Sequence, residues 1–142
     1  MKRFYFNKLV RDKVVDDCLS DPEVLHTEWK ILNDDEYKRE LIVKVAEEAN
    51  EIPPTNDSPQ ETLSEIADLQ NIVDALREVY GFSKQEIRQE IERKVAKKGG
   101  FAERKYITYV DLEENSVWLI ISDHSRISTA RKNYEAALHH RQ

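Results

Sequence analysis

The sequence predicts a mainly α protein: a helical bundle carrying a short C-terminal β-hairpin and a terminal helix. Three observations predict it. Apolar residues recur at helical spacing up to the Gly99-Gly100 pair. Helix start and stop signals bracket those periodic stretches. Gly and Pro together number only 7 of 142 residues, too few turn formers for a β sandwich.

Taken in order, Asn7-Lys8-Leu9-Val10-Arg11-Asp12-Lys13-Val14-Val15 suits a short helix capped by Asn7. Residues 21–26 contain Pro22 and read as a loop, and residues 27–32 alternate weakly, as a short strand would. Asn33 with Glu36 forms a capping box, and the helix it opens should reach Ile52. Pro53-Pro54-Thr55-Asn56-Asp57-Ser58-Pro59 breaks the chain. Ser58, Pro59 and Glu61 then fit N-cap, N1 and N3 of a helix that Gly81 ends. A second capping box, Ser83 with Glu86, opens a helix that Gly99-Gly100 stops. Residues 105–111 and 117–121 are rich in β-branched and aromatic side chains around a polar turn, the pattern of a hairpin. A final helix is expected over residues 125–140, with Ala130, Tyr134, Ala137 and Leu138 as a thin apolar stripe. The division expected is a core of residues 1–101 and an extension of residues 102–142, packed on the core or on a partner subunit.

The length suits one domain with a real core. A net charge of −6 argues against a general nucleic-acid binder. Cys18 is the single cysteine, so no internal disulfide forms and a reducing compartment is expected. The first residues lack the apolar run of a signal peptide, and no stretch approaches the length of a membrane span. These features predict a soluble cytoplasmic protein with no membrane partner.

Two acidic clusters carry the chemistry: Glu47-Glu48-Ala49-Asn50-Glu51, then Glu65-Ile66-Ala67-Asp68. Wound at 100° per residue, residues 34–52 gather Leu41, Ile42, Val45, Ala49 and Ile52 on one face, and Glu48 points about 20° from Leu41. In the next helix Leu69, Ile72, Val73, Leu76, Val79 and Tyr80 share a face, with Glu65 inside that stripe and Asp68 on its edge. A carboxylate aimed at a core costs several kcal/mol unless a cation or hydrogen bonds compensate. The short Pro-rich connection should make the helices antiparallel neighbours, so Glu48, Glu51, Glu65 and Asp68 would face one volume. Neither helix carries His or Cys, which disfavours zinc and di-iron sites and leaves Mg²⁺ or Mn²⁺. Glu47 points further out, toward a second ion, a water or plain solvent. The competing reading is a solvated acidic face, since an acid-rich chain produces such spacing by chance. The inward directions of Glu48 and Glu65 count against it.

The five acids match Glu-Glu-x-x-Glu followed by Glu-x-x-Asp. This resembles the MazG-type all-α nucleoside triphosphate pyrophosphohydrolases. Asn7-Lys8-Leu9-Val10-Arg11-Asp12-Lys13 resembles the opening of the phosphoribosyl-ATP pyrophosphohydrolase-like branch, and Lys94-Val95-Ala96-Lys97-Lys98-Gly99-Gly100-Phe101 the segment closing its helical core. The resemblance implies a helical bundle, Mg²⁺-dependent cleavage of a nucleotide between its α- and β-phosphates, and a homodimer or homotetramer. It gives the metal-ligand roles to Glu48, Glu51, Glu65 and Asp68, with Glu47 adjoining and either Glu47 or Glu48 acting on the attacking water. Lys94, Lys97 and Lys98 share a helical face and suit phosphate oxygens, or equally the helix dipole. Lys8, Arg11 and Lys13 carry the same ambiguity, Arg11 being able to pair locally with Asp12. The chain departs from the pattern at Asn71, where many relatives carry an acid, and in residues 102–142. Asn71 is either a polar substrate contact or a surface residue. The expectation is a house-cleaning enzyme of the nucleotide pool. The alternatives are a phosphoribosyl-ATP pyrophosphatase and, outside enzymes, an acidic helical adaptor or regulator.

Overall fold

The computed structural model describes residues 2–55 and 57–113. Among the described residues four helices follow one another: α1 (Asp12–Ser20), α2 (Asp34–Glu51), α3 (Pro59–Val79) and α4 (Lys84–Lys98). The chain divides into two units, Met1–Ile87 and Arg88–Gln142. In the first unit α2 and α3 pack against each other, the principal helix–helix contact among the described residues. No described residue lies in a strand, so the mainly α class holds.

Local chemistry explains the helix ends. The Asn33 side chain accepts from the backbone N–H groups of Asp35 and Glu36, and Glu36 accepts from the Asn33 N–H. Such a cap contributes about 1 kcal/mol, and a Lys30–Glu36 ion pair at 2.8 Å extends it. At α3, Ser58 is the N-cap by position and Pro59 is at N1, yet the Ser58 side chain makes no cap bond. Thr62 instead donates its N–H and hydroxyl to the Ser58 carbonyl. The far end closes as a Schellman motif: the Phe82 N–H donates to the Arg77 carbonyl and the Gly81 N–H to that of Glu78. Gly81 supplies the left-handed turn at φ 76°. Arg77 reinforces it by donating to the Phe82 carbonyl at 2.7 Å. The Ser83–Glu86 box opens α4 as its sequence requires.

Three expectations are corrected. The first helix starts at Asp12, not after Asn7. Asn7 takes a left-handed φ of 45°, which its short polar side chain tolerates, and residues 8–11 stay non-helical because their cations are drawn to α2 and α3. Residues 27–32 form no strand. Trp29 and Ile31 are exposed, so the alternation has no sheet to bury against. Residues 105–111, the first arm of the expected hairpin, are also not a strand. The second arm and the final helix lie outside the described residues.

Candidate metal centre

The α2–α3 packing has a narrow apolar seam. Leu41 is 3% exposed, whereas Ile42 and Ala49, expected on the same face, are exposed. Glu48 lies two helical turns beyond Leu41 and is itself buried, at 6%. Its direction along the Leu41 stripe is therefore the one the periodicity predicts. Glu65 and Asp68 on α3 are half-buried. One carboxylate oxygen from each of Glu48, Glu65 and Asp68 lies within 4.8 Å of the others.

Glu51 is exposed and stands outside this group of three. It remains electrostatically coupled to it. The Glu65 carboxyl is pushed above its ordinary value first by desolvation, then by the charges of Glu51, Glu48, Asp68 and Glu61. Glu47 has a different environment. Its Oε1 accepts from Lys8 Nζ at 2.9 Å and lies 3.2 Å from Lys44 Nζ. The Lys8 hydrogen bond, aided by Lys44 and opposed by burial, holds Glu47 below its ordinary value. Lys44 also reaches Glu48 Oε1 at 2.6 Å. Partial burial works against the Lys44 charge, but its bonds to Glu48 and Glu47 outweigh that and raise its pKa.

Arg11 crosses to α3 and pairs through Nη2 with Asp68 Oδ1, rather than with its neighbour Asp12. The N-terminal segment therefore touches both helices, Lys8 on α2 and Arg11 on α3. Sequence reasoning named Lys8 and Arg11 without locating them. It missed Lys44, although the spacing was visible: Lys44 precedes Glu47 by three residues and Glu48 by four, which makes them neighbours on a helix. Asn71 is exposed and outside the carboxylate group. Lys94, Lys97 and Lys98 belong to the second unit, at the C-terminal end of α4.

The donor set fits a hard divalent cation. It consists of carboxylate oxygens alone, the ligands Mg²⁺ and Mn²⁺ prefer. Three cations, Lys8, Lys44 and Arg11, face the five acids Glu47, Glu48, Glu51, Glu65 and Asp68. The cations pair with Glu47, Glu48 and Asp68, whereas Glu65 is raised first by desolvation and then by the like charges around it. Compared with protein-family models, curated proteins and solved structures, the chain shows no match.

Proposed function

We propose that this protein is a Mg²⁺-dependent nucleotide pyrophosphohydrolase of the MazG type. The reading is that it cleaves a nucleoside triphosphate between its α- and β-phosphates, in a house-cleaning role in the cytoplasm. The observation that carries it is the convergence of Glu48, Glu65 and Asp68 from two packed helices, with uncompensated negative charge at Glu65. Order of motifs adds support, since Lys8 and Arg11 from the opening segment meet the same acids. No described helix is long and apolar enough to cross a membrane. An overall negative charge fits a small nucleotide better than a nucleic-acid partner.

Glu48, Glu65 and Asp68 would hold Mg²⁺, or Mn²⁺, with Glu51 close enough to share the field. A bound divalent ion neutralises phosphate charge and orients the phosphoryl group. Glu47 lies beside these ligands with Oε1 taken by two lysines, so Oε2 is its acceptor for a water proton. Water attacks the α-phosphorus, the bond from that phosphorus to the bridging oxygen breaks, and the electron pair leaves with pyrophosphate. Glu47 Oε2 takes the proton, and a nucleoside monophosphate remains. The lowered Glu47 pKa keeps the carboxylate ionised but makes it a weak base, so it orients the water first and takes the proton as the bond to phosphorus forms. Lys44 keeps Glu47 and Glu48 apart in role by pairing with an oxygen of each. Lys94, Lys97, Lys98 and Asn71 are assigned no step.

The test is pyrophosphate release from a panel of nucleoside triphosphates and phosphoribosyl-ATP, with and without Mg²⁺, in wild type and Glu48→Gln. Metal-dependent release should fall about 100-fold in the variant. Activity surviving both chelation and the substitution refutes the mechanism. Inactivity on every nucleotide favours the adaptor reading, which the existing Lys and Arg pairs on the acids support.

A further inference from the structure

Residues 8–11 lie between α2 and α3, and the two ends of this segment are held differently. Lys8 sits on Glu47, outside the group of three carboxylates. Arg11 sits on Asp68, a member of that group. Arg11 is the N-cap residue of α1, with an extended backbone, and its side chain is 61% exposed. Its guanidinium can therefore turn without moving a helix.

We propose that Arg11 is an exchangeable cation of the acidic site. It pairs with Asp68 until a divalent ion takes that carboxylate, and then binds a phosphate group of the substrate beside the ion. The inference rests on the metal reading of the site and adds a residue that couples metal to substrate. An exposed ion pair contributes at most about 1 kcal/mol, so a divalent ion held by several carboxylates displaces it. The freed guanidinium presents N–H donors and no acceptor, so an anionic oxygen suits it. Its planar fork matches two phosphate oxygens at once. Lys8 stays on Glu47 and keeps the segment at the site, so Arg11 remains in reach. The consequence is ordered binding: metal first, which exposes the anion-binding group, then polyphosphate.

Calorimetric titration tests this in two stages on the full chain. Mn²⁺ alone is titrated first, and inorganic tripolyphosphate follows as its Mn²⁺ complex. Wild type is compared with Arg11→Gln, and with Arg3→Gln as a control for losing one exposed positive charge of the N-terminal segment. Arg11→Gln should bind Mn²⁺ about threefold more tightly, since its competitor is gone. It should bind tripolyphosphate about tenfold more weakly. Arg3→Gln should change neither by that pattern, and Arg11→Lys should recover part of the tripolyphosphate affinity. Unchanged or weakened Mn²⁺ binding in Arg11→Gln overturns the proposal, as does unchanged tripolyphosphate binding. Nucleotide hydrolysis by wild type is scored separately. Both shifts without hydrolysis support the exchange and refute the pyrophosphohydrolase, whereas hydrolysis with neither shift does the reverse.

Discussion

Burial and charge act in the same direction on Glu65. Desolvation raises its pKa, and four neighbouring acids raise it further. A folded-state pKa above the unfolded one stabilises the fold below the unfolded pKa, and that contribution is lost as pH rises through the folded value. Ionised Glu65 is thus a cost to the metal-free fold at neutral pH. Glu65→Gln should melt higher than wild type at pH 7 without divalent ions, and the difference should vanish well below the ordinary value of 4.5. Saturating Mg²⁺ should reverse the order by stabilising wild type more than the variant. Thermal melts across pH, with and without Mg²⁺, measure all three. A metal-free Glu65→Gln protein less stable than wild type at pH 7 would sink the argument. Glu47 carries the opposite sign. Its Lys8 bond lowers its pKa, so its contribution is present above the unfolded value and lost as pH falls through the folded one. Two acids on adjacent helices thus answer acid in opposite senses, because Lys8 and Lys44 bond to Glu47, whereas desolvation at Glu65 is met only by further acids.

Helix starts depend on groups three residues apart, which makes them testable and legible for the same reason. Asn33→Ala removes both side-chain bonds to the first turn of α2, the helix that holds Glu47 and Glu48. The cost should be about 1 kcal/mol, or a fall of about 4 °C in Tm. A melt within a degree of wild type would show that tertiary packing alone sets this end. The caps at Asn33 and Ser83 and the stop at Gly81 were readable because each is a local exchange of hydrogen bonds. So was the inward direction of Glu48, which follows from helical period alone. The start of α1 was not readable. Asn7 looks like a cap, but the following residues are held by ion pairs to positions 39 and 57 residues away. No local pattern registers a partner at that distance. The same limit hid the pairing of Arg11 with Asp68 behind its plausible neighbour Asp12. Glu51 is a different case: its spacing puts it one turn from Glu48 and its charge acts on Glu65, but the residue is exposed.

For the whole molecule, the balance of buried and exposed apolar surface bears on the homodimer or homotetramer that the sequence resemblance implies. Leu41 is the one buried hydrophobic residue among the described residues. On α3, Leu63, Ile66 and Val73 are 60%, 49% and 42% exposed. By helical direction, Ile66 and Val73 lie about 140–160° around α3 from Asp68 and about 80–100° from Glu65. Covering such side chains stabilises by about 1.5–3 kcal/mol for each one fully buried. A second copy of the chain can supply that cover and leave the carboxylates open, provided the interface reaches about 1,000 Å². Light scattering on the eluting protein should therefore give a mass two or four times the 16.7 kDa of the chain. Ile66→Glu combined with Val73→Glu should shift the mass toward one chain, because burying two unpaired carboxylates at an interface costs more than the apolar contact returned. The Glu48–Glu65–Asp68 group should still bind Mn²⁺ in that variant, as neither substitution touches it. A wild-type protein that elutes as a single chain at tens of micromolar would show that the α3 face is solvated in the native state, and the oligomer would have to be abandoned.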